Sequence, residues 1–217
     1  MPEIIIAIDG PAGSGKSTLA RSLATKLGLP YVNTGLMFRA LALAALRHGV
    51  GPEDAAGLAT LAASIEFDLD PTVRPAELSI EGGRPDEDLM SPEVEWSVSA
   101  VARHPEVREV LRGAQRRLAA GGAVMEGRDI GTVVAPGADL KIFLQARSDE
   151  RAVRRALERD AASEQVAEAL GTRDAQDARI NPFVPAPDAV VLDTSELTAD
   201  QVLERVLDAL RARKIVR

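Results

Sequence analysis

The stretch IDGPAGSGKST, residues 8–18, narrows the possible folds of this 217-residue chain more than any other. It carries the spacing G-x-x-x-x-G-K-S at Gly10, Gly15, Lys16 and Ser17. Leading into it, residues 3–9 centre on the apolar, mostly β-branched run 4–8, which predicts a buried strand. Behind it, Leu19, Leu23 and Leu27 share one face of a predicted helix that Gly28 and Pro30 terminate. A strand, a glycine-rich turn and a helix in that order form an anion cradle. The glycines let successive backbone N–H groups turn inward, and the helix N-terminus adds a partial positive charge. In this setting the spacing signifies a phosphate loop rather than a loose turn. Gly10, Pro11, Ala12, Gly13, Ser14, Gly15, Lys16, Ser17 and Thr18 are therefore expected to wrap a nucleoside triphosphate. Lys16 can reach its outer phosphates, and the Ser17 hydroxyl can ligate Mg²⁺.

The rest of the chain alternates in the same manner. Short strands are predicted at 31–32, 123–126, 140–144 and 190–192. Helices are predicted at 36–47, 53–63, 93–103, 105–119 and 199–211. Such alternation implies a parallel sheet covered by helices on both faces, with ligands at the carboxyl ends of its strands. Two segments break the pattern. Residues 65–90 alternate like half-exposed antiparallel strands, and 147–175 are polar, helical in pattern and rich in Arg, Glu, Asp and Ala. Both are expected to project from the core.

Composition removes several chemistries. The chain has no cysteine, so disulfides, thiolate metal sites and cysteine nucleophiles are excluded. Its net charge of −7 argues against a duplex-binding surface. No stretch reads as a signal sequence or a membrane span, so the expected location is cytoplasmic, with no membrane partner. A phosphate loop by itself chooses no reaction. There is no N-K-x-D tetrapeptide for guanine, and no long apolar strand ends in Asp-Glu as in motor ATPases. A small kinase remains, in which two substrates meet and water is kept out.

Three clusters suit an acceptor that carries a phosphate. NTGLMFRA places Thr34 at a helix start and Arg39 about one turn on. MEGRDIGTVV places Arg128 and Asp129 just past a strand end, where such sheets expose functional groups. TRDAQDARINP gathers Arg173, Asp174, Asp177 and Arg179 in a segment that suits a closing lid. Arg112, Arg116 and Arg117 read instead as a solvated helix face. On residues alone the acceptor stays open, and small acceptors such as UMP, dTMP or shikimate are alternatives. A regulatory module that hydrolyses ATP slowly is a further alternative.

Taken together, IAIDGPAGSGKST, NTGLMFRA, EGRDIGTVV and RDAQD with PAPDAVVLDTS resemble the bacterial cytidylate kinases, a family of nucleoside monophosphate kinases. The resemblance spans almost the whole chain. It implies a phosphate-loop NTPase-type α/β sheet with an acceptor-binding insert at 33–104, a helical lid at 148–181, and core segments at 1–32, 105–147 and 182–217. It implies ATP and CMP or dCMP as substrates, Mg²⁺ with the ATP, a monomer, and no nucleic-acid partner. Carried over by position, Thr34, Arg39 and Arg128 hold the acceptor phosphate, and Ser99, Arg108 and Asp129 read the cytosine. Asp177 lies near the sugar. Lys16, Arg128, Asp129, Arg173 and Arg179 form the catalytic set. The chain departs from the family at Asn33, usually Asp, and at Phe38, usually Tyr.

Overall fold

The structure is a computed structural model that describes residues 3–159, 163–180 and 182–215. Its frame is one seven-stranded sheet, in the order β3-β4-β2-β5-β1-β6-β7. The strands are β1 Ile5–Asp9, β2 Tyr31–Asn33, β3 Phe67–Asp70, β4 Glu77–Ile80, β5 Ala123–Gly127, β6 Leu140–Gln145 and β7 Val190–Asp193. All neighbours run parallel except β3 and β4, which form an antiparallel hairpin. The helices are α1 Lys16–Leu27, α2 Thr34–His48, α3 Ala55–Ser64, α4 Pro92–Ala102, α5 Pro105–Ala119, α6 Ser148–Arg159, α7 Ser163–Ile180 and α8 Ala199–Ala212.

The uniformly apolar strands follow from burial on both faces. On β1, Ile6 and Ile8 pack with α1 and α8 through Leu19, Leu23, Val206 and Leu210. Ala7, between them, faces the opposite layer of Met37, Leu41, Leu58 and Leu111 from α2, α3 and α5. Strand β5 divides likewise, Val124 to the first layer and Ala123 and Met125 to the second. In α5 the expected stripe of Val107, Leu111, Ala114 and Leu118 is buried. Each fully buried Leu contributes about 2 kcal/mol by removing its side chain from water.

Two segments differ from the sequence expectation. The hairpin at 65–90 does not project: β4 pairs in parallel with β2 at Tyr31–Glu77, so the hairpin widens the sheet at one edge. The polar stretch expected as one helical segment is built as α6 and α7, and α7 continues to Ile180. Ser148–Arg159 and Ser163–Ile180 pack against each other, and α7 also packs on α4 across the cleft. Among the described residues, no helix is long and apolar enough to cross a membrane.

Candidate active site

Helix α1 begins without a side-chain cap. Gly15 stands at its N-cap in a left-handed conformation, and its first turn carries no acidic residue. By contrast, α8 has a complete capping box from Thr198 and Gln201. The first N–H groups of α1 are thereby left for an anion. Gly10 is obligatory: its φ is +147°, and a Cβ there would lie 2.2 Å from the carbonyl oxygen of Leu144. Three cations, one of them the loop's own Lys16, brace its carbonyls. Lys16 Nζ donates to the Pro11 carbonyl at 2.7 Å, Arg128 Nη1 to Gly10 at 2.9 Å and Arg151 Nη1 to Ala12 at 3.0 Å. These bonds hold the loop in the curvature an inward N–H array requires.

The opposite wall belongs to α2, α4 and α5. The Thr34 hydroxyl donates to the Glu126 backbone carbonyl at 2.7 Å, fixing the start of α2 to the end of β5. Arg39 is 6% exposed, donates to the Leu89 carbonyl at 2.9 Å and lies 3.7 Å from Glu95. Glu95 also stands 3.8 Å from Arg155 of α6. Past β5, Asp129 Oδ2 accepts from Arg108 at 2.8 Å and from Arg112 at 3.3 Å. Asp177 of α7 accepts from Arg128 at 2.7 Å and from Ser99 at 3.1 Å, so α7 is tied to both walls. Beneath Arg128, the Phe183 ring lies 5.0 Å from its guanidinium carbon, a cation–π contact.

The loop that carries Arg128 and Asp129 is pinned to β1. Asp9, 7% exposed, accepts the N–H groups of Ile130 and Gly131 at 2.8 and 2.7 Å. Burial raises its pKa to about 6, against the opposing pull of those two bonds. Nearby, Glu126 Oε2 accepts from the Ser17 hydroxyl at 2.9 Å. A hydroxyl and a carboxylate beside a phosphate loop are hard oxygen donors of the kind Mg²⁺ takes with substrate phosphates. The residues present therefore fit that ion.

A sequence profile of the family described as "Cytidylate kinase" matches residues 6–212. The chain is 46% identical to the cytidylate kinase of Desulfitobacterium hafniense (strain Y51), over 93% of this chain and 90% of that protein. It is 48% identical to the cytidylate kinase of Chloroflexus aggregans (strain MD-66 / DSM 9485), over 94% and 92% of the two chains. The chain belongs to the cytidylate kinase family. A crystal structure of an uncharacterized protein from Eubacterium ventriosum ATCC 27560 superposes with a TM-score of 0.52 at 11% identity, over 96% and 99% of the chains. That likeness bears on the fold alone.

Against this membership, most of the residues singled out by sequence converge on one cleft. Lys16, Ser17, Thr34, Arg39, Arg108, Arg128, Asp129 and Asp177 line it, and Ser99 reaches it through Asp177. Two lid arginines stand differently. Arg179 is exposed on α7, and its neighbour Ile180 lines the cleft in its place; the side chain of Arg173 lies outside the described residues. The solvated-face reading of α5 needs correction. Arg112 lies one turn from Arg108 and shares Asp129 with it, and Arg116 donates to the carbonyls of Val133 and Val134 at 2.9 and 3.0 Å. Arg112 alone of the three lines the cleft; Arg116 and Arg117 remain as expected, exposed and outside it. Sequence reasoning also passed over Glu126, Arg151 and Arg155. The i,i+4 spacing of Arg108 and Arg112 was the available signal for one of the missed residues.

Proposed function

We propose that this chain transfers the γ-phosphoryl group of ATP to CMP, and to dCMP as well, forming ADP and the nucleoside diphosphate. The observation that supports the reading is the gathering of two sets of groups suited to phosphates in one cleft. The uncapped α1 N-terminus lies on one side and Thr34 and Arg39 of α2 on the other, with Arg128 between them, bonded to Gly10 of the loop and to Asp177 of α7. The Arg108–Asp129–Arg112 triad beyond them suits a base with both donors and acceptors on its edge. The acceptor phosphate has its second pKa near 6, so it is largely ionised at neutral pH and needs no strong general base. Its oxygen attacks the γ-phosphorus in line, and catalysis consists of positioning and charge stabilisation.

Residues 10–18 hold the donor phosphates, and Lys16 reorients from Pro11 to the outer phosphates. Thr34, Arg39 and Arg128 hold the acceptor phosphate. Ser99, Arg108 and Asp129 read the cytosine, and Asp177 meets the sugar. Ser17 and Glu126 would hold Mg²⁺, which would supply charge neutralisation to the transferring phosphoryl group. Arg173 and Arg179 swing onto the phosphates as the α6–α7 lid closes, and the closed lid excludes water that would otherwise hydrolyse ATP. The enzyme acts as a cytoplasmic monomer without a nucleic-acid partner. Coupled measurement of ADP release over all common nucleoside monophosphates tests the reading. Turnover confined to CMP and dCMP is the expected result. ATP hydrolysis that ignores every acceptor refutes it.

A further inference from the structure

The unusual Asn33 has a role inside the site. Ser17 Oγ donates to Glu126 Oε2 at 2.9 Å, and Glu126 Oε1 accepts the phenol hydroxyl of Tyr31. Tyr31 is 2% exposed and is the chain's single tyrosine. Its oxygen accepts from Asn33 Nδ2 at 3.2 Å, while Asn33 Oδ1 accepts the N–H of Leu36 at 3.2 Å and caps α2. Four side chains thus form an unbroken line from the N-terminus of the acceptor-side helix to the hydroxyl of the phosphate loop.

The line has a direction. The α2 N-terminus offers a donor at Leu36, so the Asn33 oxygen must face it and the amide NH₂ must face Tyr31. A phenol has one proton. With a donor already at its oxygen, that proton goes to Glu126. An aspartate at 33 keeps the helix cap but reverses the rest: it offers no donor, competes for the phenol proton, and sets a second carboxylate against Glu126.

We propose that Tyr31 and Asn33 are positioning residues for the divalent cation: together they lock Glu126 so that Oε2 faces Ser17 and the cation. The proposal rests on the reading of Ser17 and Glu126 as the Mg²⁺ side of the cleft. Groups that hold a ligand carboxylate in place change metal affinity by about 10- to 100-fold when removed.

The test uses Mn²⁺ as the probe, its binding to the ADP-loaded full-length protein followed by electron paramagnetic resonance. Tyr31→Phe, which keeps the ring, is expected to weaken Mn²⁺ about tenfold. ADP affinity without metal and the KM for CMP should stay within about twofold. A Tyr31→Phe protein with unchanged melting behaviour and wild-type Mn²⁺ affinity overturns the proposal. Asn33→Asp is then compared in the wild-type and Tyr31→Phe backgrounds. Its added charge acts in both, so a difference of about threefold or more between the two effects reports the part routed through the phenol. Equal effects overturn the role given to Asn33. A wild-type protein whose ADP binding ignores Mn²⁺ overturns the Mg²⁺ reading itself, and this proposal with it.

Discussion

Replacing Asp129 by alanine separates its two roles. Its Oδ2 is shared by Arg108 and Arg112, and the three side chains are 15%, 15% and 21% exposed. Without the carboxylate, two guanidiniums one helical turn apart lose their shared partner, and among the described residues only the exposed Glu109, 3.8 Å from Arg112, still offsets them. Breaking a fully buried ion pair costs about 3–5 kcal/mol; this cleft opens to water, which reduces the figure to about 2 kcal/mol. For a chain of this size that corresponds to a melting temperature lower by about 4–8 °C. The effect on ligand is separate. Arg108 loses the partner that fixes its guanidinium, and under the proposed function a charged hydrogen bond to the base goes with it. Such bonds are worth about 1.5–3 kcal/mol, so the Kd for CMP should rise by roughly 10- to 100-fold. Titration calorimetry with CMP and, separately, with ADP resolves the two roles. ADP affinity should hold within about twofold, because Asp129 does not bond to the phosphate loop. CMP affinity within about threefold of wild type, in a protein that still melts cooperatively, refutes the assignment of Asp129 to the acceptor.

Lys16→Ala should remove most turnover, by about 100-fold or more in kcat, while leaving CMP affinity nearly intact; an equal loss of CMP binding would contradict the division of the cleft. Gly10→Ala places a methyl group 2.2 Å from the Leu144 carbonyl oxygen at a φ of +147°, and should lower stability by about 3 kcal/mol, read from thermal unfolding. Burial raises the pKa of Asp9 from 3.8 to about 6, so across that interval the folded chain keeps a proton that the unfolded chain has released. This contribution is complete below about pH 4 and is lost as pH rises through 6, a change of about 3 kcal/mol. Denaturant unfolding at several pH values should show that slope flattened in Asp9→Asn; a slope identical to wild type would show that Asp9 does not titrate there.

The central strands were legible because burial on both faces leaves no polar alternation to confuse them. The phosphate loop was legible because its glycines and helix start are local requirements. Where the hairpin went was not, since β4 joins β2 through a single register pair that no local pattern encodes. Arg112 illustrates the same limit within the site. Its helix face looks solvated in isolation, and only the return of the chain through β5 brings Asp129 against it. Glu126 sits in an apolar strand, and its use depends on Ser17 arriving from the neighbouring strand–loop–helix unit. Asn33 could be seen as a departure from the family, but its partner Tyr31 was two residues away and buried.

The widened sheet has a consequence for how the molecule meets its own copies. Because the hairpin joins the frame, the sheet ends on both sides in four-residue strands, β3 and β7. Outermost β3 carries Asp68 and Asp70, so a second β3 approaching edge to edge would bring like charges together along a ladder too short to compensate them. β7 ends in Asp193, whose carboxylate already accepts from Ser195. Growth by strand addition is thus discouraged at the β3 margin, where the hairpin replaces the edge of β2 with an acidic one.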